Sequence, residues 1–383
     1  MRTDSFSSTR AGRVIRAPQG YAAFVPAALP PTLTYSPSLL RAVASAERAV
    51  GHLAGLGGLL PNPYLLIRPF IAREAVLSSR IEGTHASLSD LFLFEATPTE
   101  RPETPDVREV ANYVRALDHA LSPKRKLPVS LRLVRELHGI LMDGVRGNQA
   151  TPGEFRRSQN WIGPPGCTLN DATYVPPPIP EMLESLDALE RFLHRPSDLP
   201  PVVFLAAVHY QFEAIHPFLD GNGRIGRLLV STFLCELGLL PSPLLYLSAY
   251  FERGREEYYE RLLRVSQAGE WEEWVAYFLA GVLSQAEDAA ARATQLRALR
   301  DDFLGRLRST RSASALKLVD RLLATPIVTV PRAAQILDLS YQGAQRVIRQ
   351  LEHVKILRSL SGRRRPKPYI AGEVLRIFGD APA

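Results

Sequence analysis

Apolar residues recur at three- and four-residue spacing along most of the chain, the period of a helix with one buried face. The pattern runs from Ser38 to about Leu60. In "IAREAVLSSRIEG", Ile71, Ala75, Val76 and Ile81 fit a second helix that stops near Gly83, since glycine commonly follows a helix end. Further helices are predicted over about 106–121, 129–144, 180–194, 200–215, 224–238, 255–266 and 270–305. Strand-like alternation is scarce. In "SQNWIGPPGCTLNDATYVPPP" (158–178), Asn160–Ile162 and Thr173–Val175 flank a turn rich in Gly, Pro, Asn and Asp, so this stretch reads as an irregular hairpin or flap. From Ser314 the pattern becomes helix, short helix, turn, second helix, then a basic turn between short strands. That is the order of a winged helix-turn-helix. The expected fold class is mainly α: a helical core with a short β-hairpin flap, followed by a C-terminal winged helix-turn-helix. Residues 1–35, rich in Ser, Arg and Pro, read as a loosely held arm, and "PTERPETPD" (98–106) as a linker.

Composition narrows the setting. At 383 residues the chain has room for two or three domains. Cys167 and Cys235 are too few for a disulfide framework and cannot form a thiolate zinc site alone, which favours a reducing compartment. No stretch approaches a membrane-spanning length, and Pro26 and Pro30 interrupt the apolar run near the N-terminus. A soluble, cytoplasmic protein with no membrane partner is expected. The net charge of +7 is local: Tyr341 to Arg376 holds nine Lys/Arg against two Glu, leaving the rest balanced. A basic module at one end suits contact with phosphate.

The densest chemistry lies in "HPFLDGNGRIGR", His216 to Arg227. Pro217 ends the preceding helix, so His216 sits at the mouth of a loop. Gly221 and Gly223 allow successive N–H groups to turn inward as an anion nest. A new helix begins behind the loop, with its free N–H groups directed at any phosphate placed there. Arg224 and Arg227, three apart, share the face of its first turn and offer guanidinium forks. Asp220 is a hard oxygen ligand suited to a Mg²⁺ bridging phosphates. His216 is a candidate general base towards a hydroxyl. Together these residues point to phosphoryl or nucleotidyl transfer. Singly they say less: Asn222-Gly223 is a common turn, and a histidine before proline is often structural. A calcium loop is excluded, because Ile225 and Ser231 stand where it needs Gly and Glu. No HExxH zinc motif occurs.

These twelve residues match every fixed position of the Fic (filamentation induced by cAMP) motif, HPFx[DE]GNGRxxR, and the resemblance extends from about Arg68 to Ala280. It implies a Fic-type helical core and a protein adenylyltransferase. Such an enzyme moves AMP from ATP to a Tyr, Thr or Ser hydroxyl of a target protein, or of itself, and releases pyrophosphate. His216 would take the hydroxyl proton and Asp220 would bind Mg²⁺. Asn222, the Gly221 and Gly223 amides and Arg224 would hold the α- and β-phosphates, Gly226 would belong to the same cradle, and Arg227 would grip the γ-phosphate. The flap at 160–178 would align the target by strand addition, with Ile162 near the nucleotide. Tyr258-Tyr259 resembles the aromatic pair lining an adenine pocket; ordinary helix packing explains it equally well. Gly254 and Ser266 depart from residues that many relatives carry there, which loosens the expectation of base preference.

"SSRIEG" resembles the inhibitory pattern of the same family, with Ser78, Glu82 and Gly83 in its fixed positions. In that resemblance Glu82 pairs with Arg227 and occupies the place of the γ-phosphate. The same glutamate could instead position water for AMP removal, so the direction of transfer stays open. In the tail, Ile336, Leu339, Val347, Ile348 and Leu351 are expected to face inward, and Gln342, Gln345, Arg346 and Arg349 outward. Arg363, Arg364, Arg365 and Lys367 form the candidate wing. Such a module serves either DNA or protein docking. The expected organisation is an N-terminal region with the inhibitory motif (1–105), a Fic core (106–282), a connecting helix (283–312) and a winged helix-turn-helix (313–383). A homodimer is expected from the family alone. The second reading is a DNA-binding regulator whose core binds nucleotide without turnover.

Overall fold

A computed structural model describes residues 1, 3–58, 63–97, 104–125, 128–145, 151–308, 312–360 and 366–380. It is mainly helical, and one continuous apolar core runs from Ala11 to Phe378. Its first regular element corrects an expectation. The N-terminal arm forms an antiparallel hairpin, β1 (Gly12–Arg16) and β2 (Ala22–Pro26), with Val14 opposite Phe24. Phe24 is buried, Arg10 makes a two-pronged bond to Glu272, and Gln211 donates to the Ala27 carbonyl. Apolar burial and these long-range ties hold a segment whose composition alone suggested looseness.

α1 (Pro37–Gly58) and α2 (Pro63–Ile81) follow, then α3 (Leu88–Ala96), which the periodicity did not reveal. A capping box at α3, Ser87 with Asp90, satisfies two end donors. α4 (Pro105–Ala120) and α5 (Leu131–Leu141) pack together, and α2 lies against α4. After the flap come α6 (Ile179–Leu193) and α7 (Pro201–Ile215). Most of α7 is buried on every side, as its run "VVFLAAVHYQF" requires.

The next helix, α8 (Asn222–Glu236), starts two residues earlier than its periodicity suggests. α9 (Ser248–Arg253), too short for periodicity to show, leads into α10 (Arg255–Ala268) and α11 (Trp271–Arg306). α11 packs along α1 and α7.

The C-terminal part is α12 (Ala313–Ala324), β3 (Ile327–Thr329), α13 (Val330–Leu337), α14 (Tyr341–His353), β4 (Arg358–Ser359), β5 (Pro368–Ile370) and α15 (Gly372–Ile377). Its sheet has the order β3-β5-β4, both pairs antiparallel. Val347, Ile348 and Leu351 are buried and Ile336 partly so, but Leu339 is exposed, because the turn at Asp338 swings it off the inner face. This part is not a free appendage: Phe378 stacks edge-on against Phe70, and Asp380 accepts from the backbone and hydroxyl of Ser89. No helix among the described residues is long and apolar enough to cross a membrane.

Candidate active site

The site is built at the α7–α8 junction. α7 ends at Ile215, and His216 takes the left-handed conformation, φ 50° and ψ 60°. This costs a non-glycine residue about 1 kcal/mol or more, so the surroundings must hold it there. They do so through Arg156, which is buried and donates from Nε to the His216 carbonyl at 3.0 Å and from Nη2 to the Pro177 carbonyl at 2.5 Å. The Arg156 amide donates to the Pro217 carbonyl. One guanidinium therefore ties the loop to the base of the flap. Asn160 adds a bond to the Phe218 carbonyl at 2.8 Å. His216 itself is half-buried, and burial pushes its pKa down to about 4. It is neutral at pH 7, as a proton acceptor must be.

His138 supports the loop from below. The Gly153 amide donates to its Nδ1 at 2.9 Å, which leaves Nε2–H to donate to the Asp220 carbonyl at 3.0 Å. Its ring stacks on Phe218 at 3.7 Å. Burial lowers its pKa to about 4, so this neutral tautomer persists. Gly221 has φ +82°, and a Cβ there would meet Met142 Sδ at 3.2 Å; only glycine fits the turn without strain.

Asn222 is the first residue of α8. Its amide is buried and spent on the loop, accepting from the Phe218 N–H at 2.9 Å and donating to the Phe218 carbonyl at 2.8 Å. It shapes the turn, and the backbone N–H groups at the start of α8 are of the kind that can receive an anion. Arg224 is buried, 3.1 Å from Glu109 and 3.4 Å from Asp220. Asp220 is half-exposed, and its Oδ1 also accepts from the Gly221 N–H. Among the described residues no group of three or more His, Cys, Asp or Glu is placed to hold a metal. Mg²⁺ fits here only as it commonly binds nucleotides, through one carboxylate with phosphate oxygens and water.

Arg227 is buried behind the loop. It donates from Nε to Ser78 Oγ at 2.9 Å, and from Nη2 to the Ser78 carbonyl at 2.9 Å and to Glu82 Oε1 at 2.6 Å. Ser78 lies in the last turn of α2, and Gly83, at φ +96°, closes that end with an N–H to the Arg80 carbonyl. Burial pushes the Glu82 carboxyl up, but Arg227 outweighs it and holds the group below its ordinary range. A Cβ on Gly223 would lie 2.5 Å from Glu82 Oε1, so the glycine is what admits the carboxylate so close to the helix start. Gly226 lies inside α8, away from the cradle; a Cβ there would meet Glu213 Oε1 at 2.4 Å.

The flap is joined by mutual backbone bonds between Ile162 and Tyr174, 2.9 and 3.0 Å. Its Val175 carbonyl accepts from Phe24 of β2, while Trp161 and Ile162 are exposed. Tyr258 does not line a surface pocket. It is fully buried, stacked on Phe251, with its hydroxyl 2.9 Å from His209 Nε2. Tyr259 is exposed, with Arg255 over its ring at 5.8 Å. Ser266 is buried against the Tyr210 hydroxyl. Arg346, Arg349 and Lys367 are exposed, far along the chain; Arg363, Arg364 and Arg365 lie outside the described residues. Motif periodicity gave no signal for His138 or Arg156, which act through contacts remote in sequence.

A glycine loop opening a helix, a neutral histidine at its mouth and buried arginines behind it define a helical protein with a glycine-loop cradle at a helix start. The Fic/DOC family N-terminal model matches residues 40–122 and the Fic/DOC family model residues 128–234. The chain belongs to the Fic/DOC family. Protein adenylyltransferase Fic from Drosophila persimilis is 35% identical over 119 residues, 30% of this chain and 21% of that protein. The Drosophila erecta protein of the same name is 34% identical over the same length, 30% of this chain and 22% of its own. The match thus spans about a fifth of these relatives. In fold, the chain resembles a Fic family protein from Desulfovibrio desulfuricans G20 (TM-score 0.57, 20% identity, 90% of this chain and 98% of that one). It also resembles Fic-1 from C. elegans (TM-score 0.52, 21% identity, 67% and 73%).

Proposed function

We propose that the chain is a self-inhibited protein adenylyltransferase that moves AMP from ATP to a Tyr, Thr or Ser hydroxyl of a target protein or of itself. The observation that carries this reading is the pairing of a neutral His216 at the loop mouth with a buried Arg227 held by Glu82. The hydroxyl oxygen bonds to the α-phosphorus of ATP as the bond to the β-phosphate oxygen breaks. His216 takes the hydroxyl proton, and pyrophosphate leaves. The N–H groups of Asn222 and Gly223 donate to phosphate oxygens, joined by that of Gly221 if it leaves Asp220, Arg224 flanks them, and Arg227 meets the γ-phosphate once Glu82 has withdrawn. Mg²⁺ held by Asp220 would neutralise phosphate charge.

The target docks on the flap at 160–178. β2 already occupies the 173–175 side. The exposed side at Trp161 and Ile162 is therefore the one left for an added strand. Tyr259 with Arg255 replaces the buried Tyr258 as the aromatic surface for a base. The chain divides into the N-terminal region with its brake (1–105), the core (106–282), the connecting helix (283–312) and a winged helix-turn-helix (313–383). The exposed Arg346, Arg349 and Lys367 of that last module support a second, DNA-binding role.

Intact-mass measurement of Glu82→Gly incubated with ATP and Mg²⁺ tests the reading. Covalent AMP on the chain or on an added lysate protein is expected. A folded variant that modifies neither overturns it.

A further inference from the structure

Arg227 lies within electrostatic reach of a second carboxylate, Glu213. Glu213 lies one helical turn before His216, and its backbone carbonyl is 3.3 Å from His216 Nδ1. Its Oε1 is buried and has no hydrogen-bond partner, and neither has Nη1 of Arg227. Each acts on the other electrostatically: Arg227 lowers the Glu213 pKa, and Glu213 raises that of Arg227. Gly226 leaves the space Glu213 occupies, since a Cβ there would lie 2.4 Å from Oε1. Glu74 also feels Arg227, but Ser248 and Tyr113 already engage its oxygens.

Withdrawal of Glu82 would leave the buried guanidinium with only the neutral oxygens of Ser78. A buried charge without a counter-ion is costly, so a carboxylate that already acts on it and has an unpartnered buried oxygen becomes its partner. We propose that Glu213 is a positioning residue for nucleotide: when Glu82 leaves, its carboxylate takes Arg227 and holds the guanidinium aimed at the terminal phosphate. With Glu82 in place, burial and repulsion from Glu82, against the pull of Arg227, bring Glu213 to about 7; removing the repulsion favours its charged form. The inference rests on the nucleotide reading above.

The test uses calorimetric binding of ATP and ADP to Glu82→Gly, alone and with Glu213→Gln or Glu213→Asp. Glu213→Gln is expected to weaken ATP about tenfold, the scale of one charge-assisted contact, while ADP changes little. Glu213→Asp is expected to restore much of the ATP preference. Retained preference in Glu213→Gln, or equal weakening of ATP and ADP, overturns the proposal. AMP transfer by Glu82→Gly is measured alongside. Its absence with ATP preference intact counts against adenylylation and leaves the Glu213 result readable by itself.

Discussion

The Glu82 carboxylate and the Arg227 guanidinium meet at 2.6 Å although 145 residues separate them in sequence. Arg227 is buried and the Glu82 side chain is 32% exposed, so solvent screens the pair in part. The Ser78 bonds come from the same helix end, which makes the contact a property of how α2 packs. Glu74 fixes that packing from within, bonded to Tyr113 of α4 and Ser248 of α9.

Removing the carboxylate exposes the anion site. A charged hydrogen bond is worth about 1.5–3 kcal/mol, so Glu82→Gly is expected to raise ATP-dependent self-labelling by roughly 10- to 100-fold. Equal labelling of parent and variant would count against the brake.

The pH profile reports on His216. A histidine whose folded pKa is depressed by burial keeps its neutral form as pH falls, losing it only near that lower value. The acid limb of kcat/KM for Glu82→Gly should therefore lie below the free-imidazole value of about 6.5, toward about 4. A limb at the free-imidazole value would contradict the buried environment.

Arg156 carries the link between loop and flap. Arg156→Met strips the Pro177 carbonyl of its guanidinium donor and leaves the His216 carbonyl only the longer Asn160 bond, 3.4 Å. It is expected to lower stability by about 3 kcal/mol or more and to abolish transfer in the Glu82→Gly background. Arg156→Lys supplies one point charge where a fork is used and should rescue only part. Urea denaturation and labelling check both; a fully active Arg156→Met sinks the role.

For the basic tail, duplex binding measured against salt is the discriminating experiment. Arg346→Ala and Arg349→Ala should each reduce the salt slope by about one if both meet phosphates. Absence of salt-sensitive DNA binding by the whole chain would assign this module to protein contacts.

The loop chemistry was legible because its parts are local: twelve consecutive residues carry the turn, the helix start and the charges. Glu82 was reached only through family resemblance, since nothing in 78–83 itself points to Arg227. Arg156, His138 and Glu213 were invisible to periodicity because each works through a contact across the fold. The β1–β2 hairpin escaped for a similar reason, its stability coming from Phe24 and Arg10 contacts with distant helices. Tyr258 shows the converse: an adjacent aromatic pair splits between core and surface, because neighbours on a helix point 100° apart.

The central claim is adenylyl transfer restrained by Glu82 and performed with His216. Its most direct measurement compares α-labelled with γ-labelled ATP, in Mg²⁺, on the parent, Glu82→Gly and Glu82→Gly/His216→Ala. The account predicts protein-bound label from α-labelled ATP in the single variant alone, and none from γ-labelled ATP. Label from the γ position, or equal α-label with and without His216 in folded protein, would contradict it.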